Sequence, residues 1–423
     1  MNWLNKKIHC VGIKGSGMSG LAILLKKEGA IIGGSDVTEE FPSELELLKN
    51  DIAVKIFSRD NLGKDTDFLI YSSAWPEDHP ERIRAKELHI PEMSYAEALG
   101  EYAKGKKTIV VTGTHGKTTT TAILGQIFEA AELDPSVLTG DIVKAWGSSV
   151  RAGGGEYFIV EGDEYQEKFK YFSPAGIIIP ALDYDHPDYF KDKETYQNSF
   201  RAWVEKNSGA KFVTTEEVKD LLGVPAIFSD EEDADIFAKT RFILPGEHYR
   251  KNALLAIKMA RLFKVSGGKI IRGMDSFEGV GRRLDYYSPE DGNFIIVYDY
   301  AHHPTEIKTT LKALRDRYPD HKIIAVFQPH TYSRTNAFLE DFAKSFDNAD
   351  QVFFDEIYAS VREKKEDIKI KDLIDSAKKY HASAFSFSEF DGENFSGKTL
   401  FIFMGAGDIW RRAEELSKLL LER

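Results

Sequence analysis

The chain has 423 residues, with 68 Asp and Glu against 56 Lys and Arg and a formal net charge of −12. That length exceeds one compact domain and predicts two or three, and the acidic balance excludes a general polyanion binder while allowing local basic pockets. The single cysteine, Cys10, excludes an internal disulfide and a cysteine-based metal cluster. No run reaches the ~18 apolar residues of a membrane span. The start, MNWLNKKIHCVGI, lacks an apolar stretch of signal-peptide length. A cytoplasmic protein is expected, with no nucleic-acid partner and no membrane insertion.

In chain order, strand-like and helix-like runs alternate throughout, which predicts an α/β protein with mostly parallel sheets. Three blocks separate, at 1–104, 105–281 and 282–423. The first opens with the strand KKIHCVGI, a glycine loop and the helical GLAILLKKEG. Gly15, Gly17 and Gly20 satisfy G-x-G-x-x-G between strand and helix, where a diphosphate can approach the backbone and the helix N-terminus. Asp36 ends the next apolar run, where a ribose-binding acid would lie. NAD or FAD is the usual ligand of such a loop. A tight turn without a ligand and a different diphosphate nucleotide stay open.

The second block opens with KKTIVVTG and continues into VTGTHGKTTTT. The common phosphate loop is G-x-x-x-x-G-K-[ST], but the position that should hold its first glycine is Val111, and the glycine stands at Gly113. Lys117 can neutralise β- and γ-phosphate charge, and the Thr118 hydroxyl can hold Mg²⁺. The amides from Thr114 to Thr119 can cradle phosphate oxygens. Two phosphate loops opening successive blocks weaken an oxidoreductase assignment and suggest ATP in one and a nucleotide-bearing substrate in the other.

Acidic segments follow two further apolar strands. IVEGDEYQ places Glu161, Asp163 and Glu164 at one strand end, and LDYDHPDYF places Asp183, Asp185, His186 and Asp188 at another. Carboxylates and an imidazole on the sheet edge that carries the phosphate loop suit Mg²⁺. In the third block, Arg282 and Arg283 can clamp a phosphoryl group, and Asp299 can accept ribose hydroxyls. His302, His303, His330 and Arg334 gather at further strand ends.

These stretches together resemble the Mur ligase family, whose ATP loop has the short G-T-x-G-K-[ST] form, here Gly113-Thr114-His115-Gly116-Lys117-Thr118. GIKGSGMSGLA, DHPDYF, GVGRRLD, DYAHHPTEI, FQPHTYSRT and MGAGDIW extend the resemblance over nearly the whole chain. It implies three domains: a Rossmann-like domain for a UDP-sugar, a P-loop ATPase-like central domain, and a Rossmann-like domain that presents an amino acid and closes over both. The implied activity is ATP-dependent amide ligation through an acyl phosphate, in peptidoglycan precursor synthesis. FQPHTYSRT favours a member that joins L-alanine to UDP-N-acetylmuramate. VEGDEY leaves a murein-tripeptide recycling ligase as the alternative, with a non-catalytic nucleotide-binding regulator behind it.

The resemblance also implies residue roles. Gly15, Ser16, Gly17, Met18, Ser19 and Gly20 would receive the UDP diphosphate, with Asp36, Ser72 and Ser73 around the uridine. Gly113, Thr114, His115, Gly116, Lys117, Thr118 and Thr119 would bind ATP phosphates, His248 and Asn252 the adenine, and Asp299 the ribose. Thr118, Glu161 and His186 would hold Mg²⁺, in two sites, and Arg282 would contact phosphate. Lys117, Glu161, His186 and Arg282 form the implied catalytic set, and His303 and Arg334 would hold the amino acid. A monomer or weak homodimer is expected. The chain departs from the family pattern at Ala181, Tyr249 and Thr331, and SDEEDADIFAKTRFILPGEH is shorter than expected.

Overall fold

The structure is a computed structural model that describes every residue except 40, 291, 360–366, 382, 393–396 and 422–423. Three sheets carry the described chain. β1 (Lys7–Val11), β2 (Ile31–Asp36), β3 (Val54–Ile56), β4 (Phe68–Tyr71) and β5 (Glu92–Ser94) form an all-parallel sheet in the order β3-β2-β1-β4-β5. β6 (Lys107–Val111), β7 (Ser136–Val143), β8 (Ser148–Arg151), β9 (Tyr157–Glu161), β10 (Gly176–Ile179) and β11 (Lys211–Thr214) form a second, ordered β11-β10-β6-β9-β7-β8. Only its β7–β8 pair is antiparallel. β12 (Asp285–Tyr286), β13 (Phe294–Asp299), β14 (Lys322–Phe327), β15 (Gln351–Phe354), β16 (Ala384–Ser386) and β17 (Thr399–Met404) form a third, ordered β12-β13-β17-β14-β15-β16, with β12–β13 antiparallel.

The strand sequences explain this architecture. KTIVV in β6, GIII in β10 and TLFIFM in β17 are near-continuous apolar runs, buried from the second residue or earlier. Such strands are stable only with both faces covered, which favours parallel sheets flanked by helices. In the first sheet the chain leaves β1 for β2 on one side and β4 on the other. The crevice at that reversal, outside the carboxyl ends of the strands, is where open α/β sheets bind ligands.

The chain groups into two compact units. Met1–Asp183, Gln197–Phe242 and Asn252–Val280 make the first, which holds the first two sheets. Tyr184–Tyr196, Ile243–Lys251 and Gly281–Arg423 make the second, which holds the third sheet. Within the first unit the helix Ser16–Lys27 packs on β7 and β8 as well as on its own sheet. The Ser149 amide of β8 donates to Glu46 at 2.9 Å, a further tie between the first two sheets.

A buried polar network stiffens the first sheet. Glu81 is fully buried and accepts from the Ser35 hydroxyl at 2.5 Å, the Asn61 amide at 2.7 Å and the Ser58 backbone at 3.1 Å, with His9 Nε2 at 3.3 Å. Burial alone would push its carboxyl up, but the bonds from His9, Ser35 and Asn61 outweigh that and bring it down to about 2. Its folded value lies below the 4.5 of the free side chain, so the stabilisation is present above pH 4.5 and is lost as pH falls toward 2. Glu81→Gln is therefore expected to cost about 2–4 kcal/mol at pH 7. In urea unfolding the gap to wild type should narrow at pH 4 and again at pH 3. A gap independent of pH would show that the charge of Glu81 contributes nothing.

Candidate active site

The first glycine loop leaves β1 at Gly12, whose φ of +79° suits only glycine without strain. A Cβ there would also meet the Trp75 indole nitrogen at 2.4 Å. Gly15 caps the helix Ser16–Lys27 in extended conformation. Gly15 and Ser16 are exposed and Gly17 is half-buried. Met18, Ser19 and Gly20 are buried. Ser19 spends its hydroxyl on the Ser16 carbonyl at 2.9 Å, and a Cβ on Gly20 would lie 2.3 Å from Leu138. Helix packing accounts for the burial of these three residues.

Asp36 does end β2 beside this loop, but both its oxygens are engaged. One accepts the Lys14 amide at 2.7 Å and the other the Val37 amide at 2.8 Å, so Asp36 fixes the loop. Ser72 and Ser73 follow β4, the neighbour of β1. The Ser72 hydroxyl accepts from the Ala74 amide at 3.3 Å, and Ser73 is exposed.

The second loop joins β6 to the helix Lys117–Ala130. Gly113 and Gly116 take φ of +113° and +79°. Neither has room for a side chain, since a Cβ would approach the Ala181 carbonyl and the Asn252 amide at 2.5 Å each. Lys117 is the first helical residue. Its Nζ donates to the Gly113 and Thr114 carbonyls at 2.7 and 2.9 Å and pairs with Glu164 at 2.8 Å. Burial pulls its pKa down, but Glu164, Glu161 and Asp163 together raise it, so the lysine stays charged. Thr114 bonds through its hydroxyl to the Asp183 carbonyl at 2.6 Å, and His115 Nε2 meets the Asp183 carboxylate at 3.0 Å. Both therefore anchor the loop to the segment after β10. The Thr119 side chain is buried.

Glu161, the last residue of β9, lies beside this loop. One oxygen accepts the Gly140 amide at 2.8 Å, and a Cβ on Gly140 would sit 2.9 Å from that same oxygen. Thr118 donates to it as well. Burial pushes the carboxyl up, and Lys117, Thr118 and Gly140 only partly offset it. A buried carboxylate so placed gains from a further cation, which fits the donor set expected for Mg²⁺. Sequence reasoning named Glu164 among the acids without a role. It missed Gly140, which no motif marks.

The second unit carries the remaining candidates. Asp185 and Arg334 form a buried bidentate pair, Nε to Oδ1 and Nη2 to Oδ2 at 3.1 Å each. Burial would raise the Asp185 carboxyl, but Arg334, His186 and His303 hold it far below the usual range. The guanidinium fork expected to take an amino-acid carboxylate thus has two of its donors on Asp185. His330 Nδ1 faces the third nitrogen, Nη1, at 3.4 Å. His186 has a left-handed φ of +56° and follows Asp185, which accepts its amide at 2.7 Å.

His303 caps the helix Pro304–Arg317, its Nδ1 accepting from the Thr305 amide at 3.3 Å. That nitrogen is therefore committed to the fold. Arg282 and Arg283 flank the Tyr300 ring at 4.4 and 5.3 Å, and Arg283 also pairs with Glu306 at 3.5 Å. Asp299 ends β13 and accepts the Leu284 and Ala301 amides at 3.0 and 2.8 Å. Its complete burial lifts the carboxyl to about 6 despite Arg283. His248, half-buried, lies against Tyr249 with ring centres 4.0 Å apart. Tyr249 is buried, near Asp299 and Arg283, where the family pattern has asparagine. Asn252, one turn further along the helix Glu247–Leu262, lies in the first unit against Gly116.

Comparison with known proteins agrees along the chain. Family models described as Mur ligase family, catalytic domain, Mur ligase middle domain, and Mur ligase, glutamate ligase domain match residues 7–107, 111–224 and 282–392. The chain is 35% identical to a UDP-N-acetylmuramate–L-alanine ligase of Sulfurihydrogenibium sp. (strain YO3AOP1), over 99% of this chain and 98% of that protein. A ligase of the same name from Desulfitobacterium hafniense (strain Y51) is 36% identical, over 97% and 99%. The solved UDP-N-acetylmuramate–alanine ligase of Thermotoga maritima superposes with a TM-score of 0.78 at 26% identity, covering 98% of this chain and 99% of that one. A murein peptide ligase from Psychrobacter arcticus shares the fold, with a TM-score of 0.68 at 21% identity and coverage of 98% and 99%. With relatives matched over nearly their full length and a short ATP loop built around Lys117 and Glu161, the chain belongs to the Mur ligase family.

Proposed function

We propose that this ATP-dependent ligase joins L-alanine to the lactyl carboxylate of UDP-N-acetylmuramate. The observation that carries this is the match to relatives of that name over nearly the whole of both chains. The muramate carboxylate attacks the γ-phosphorus of ATP, the bond to the bridging oxygen breaks, and ADP leaves. The acyl phosphate formed is an activated carboxyl. The neutral amine of alanine attacks its carbonyl, and the tetrahedral adduct expels inorganic phosphate as the amide forms. The nitrogen gives up its proton on the way.

The residues divide this work. Gly15, Ser16 and Gly17 take the UDP diphosphate on backbone amides and the helix N-terminus. Gly113 to Thr118 cradle the ATP phosphates, and Lys117 stays charged to meet the negative charge of the transferring group. Thr118 and Glu161 would hold one Mg²⁺ and His186 a second, and the bound metal supplies further charge neutralisation. Arg282 contacts phosphate, Asp299 the ribose, and His248 with Asn252 the adenine. Arg334 contributes Nη1, and His303 its ring edge, toward the amino acid. The reading retains domains at 1–104, 105–281 and 282–423, and a monomer or weak homodimer in the cytoplasm.

Phosphate release with ATP and UDP-N-acetylmuramate is expected with L-alanine, more weakly with glycine and serine, and not with L-Ala-γ-D-Glu-diaminopimelate. One methyl or hydroxyl discriminates weakly in a small pocket, one methyl by only about 1–3 kcal/mol, so leakage to glycine and serine is expected. Use of the tripeptide without use of alanine would assign the chain to recycling instead.

A further inference from the structure

Tyr95 is a residue that no motif singles out and that the chemistry above does not use. It opens the helix Tyr95–Ala103 directly after β5. A capping box fixes that turn, with the Glu97 amide donating to the Ser94 hydroxyl and the Ser94 amide to Glu97 at 2.7 Å. The side chain is therefore held on a rigid element.

Its phenol ends over the first glycine loop. A Cβ on Gly17 would fall 2.7 Å from the Tyr95 oxygen and 2.8 Å from the ring carbon that bears it. Gly17 is thus the residue that lets the hydroxyl approach the second residue of the helix Ser16–Lys27. The hydroxyl also lies within electrostatic reach of Glu161 and Asp163, on and just after β9 respectively. Burial, together with these two carboxylates, pushes its pKa up, so the phenol keeps its proton. Among the described residues the hydroxyl has no hydrogen-bond partner. Tyr95 is half-buried, and its hydroxyl lies near both the diphosphate loop and the acids beside Lys117, where it is open to an incoming acceptor.

We propose that the Tyr95 hydroxyl donates a hydrogen bond to an anionic oxygen of the bound nucleotide-sugar and positions that substrate between the glycine loop and Glu161. The assignment rests on the proposed nucleotide-sugar substrate. Tyr95 is a positioning residue, one that orients the substrate and takes no part in bond making. A neutral donor suits this place. A lysine would form ion pairs with Glu161 and Asp163, whereas a phenol brings no charge to pair with them and can still donate to the incoming anion.

The test uses the full-length protein and Tyr95→Phe, which keeps the ring against Gly17. Titration calorimetry would measure UDP, UDP-N-acetylglucosamine and UDP-N-acetylmuramate. A hydrogen bond to a charged group is worth about 1.5–3 kcal/mol, or roughly 10–150-fold in affinity. The Kd for UDP-N-acetylmuramate and its KM should rise by that factor, with the KM values for ATP and alanine and the melting temperature unchanged. If all three ligands weaken alike, the oxygen belongs to the diphosphate. If only UDP-N-acetylmuramate weakens, it belongs to the lactyl carboxylate. Both outcomes support the assignment. Binding of all three within twofold of wild type overturns it. Wild-type protein that binds none of them overturns the substrate reading itself, and the role of Tyr95 with it.

Discussion

Lys117→Ala is expected to slow ADP formation by on the order of 10²–10³-fold, the cost of removing one preorganised charge from a transition state. Affinity for UDP-N-acetylmuramate should stay close to wild type, because the diphosphate loop is built on β1 and the lysine on the loop after β6. The variant has a second effect. Glu164 is buried and pairs with Lys117 at 2.8 Å, so the substitution also takes away its cation. Removing one partner of a buried pair costs several kcal/mol. The double variant Lys117→Ala, Glu164→Gln separates the two effects, since it should recover the melting temperature and none of the activity. Single-turnover ADP release, beside calorimetry with the UDP-sugar, measures both. Wild-type turnover in either variant would remove Lys117 from phosphoryl transfer.

Arg334→Ala should destabilise the second unit by about 3–5 kcal/mol, the range for breaking a buried ion pair. Its guanidinium meets both oxygens of Asp185, and both residues are buried. Left alone, Asp185 would be a buried carboxylate without its arginine. The double variant Arg334→Ala, Asp185→Ala should recover most of the loss, since no charge is then stranded. Denaturant unfolding of the four proteins in this cycle gives the coupling directly. A coupling below about 0.5 kcal/mol would show that the pair is no stronger than an exposed one. The kinetic consequence is narrower. Nη1 is the nitrogen that Asp185 leaves unbonded, so Arg334→Lys should raise the alanine KM and leave the UDP-sugar KM unchanged. The rise should fall short of what loss of a bidentate clamp would give.

The amino-acid sequence by itself determined the architecture and the ATP loop. Apolar runs such as KTIVV and GIII specify buried parallel strands, because only that environment covers both their faces. The left-handed turns at Gly113 and Gly116 and the helix-opening Lys117 are local properties of adjacent residues, so a short motif carries them. Glu161 was legible for the same reason, as the acid that ends an apolar strand. Tertiary structure decided which partners those residues meet. Glu164 holds Lys117, Gly140 makes space for Glu161, and Asp185 occupies the fork of Arg334 from 149 positions away. It also divided the first glycine motif, leaving Gly15 and Ser16 exposed and turning Met18, Ser19 and Gly20 into the core. Spacing along a chain reports the backbone path of one loop. The side-chain partners come from segments that spacing does not relate, and only the packing of one element on another brings them within a hydrogen bond.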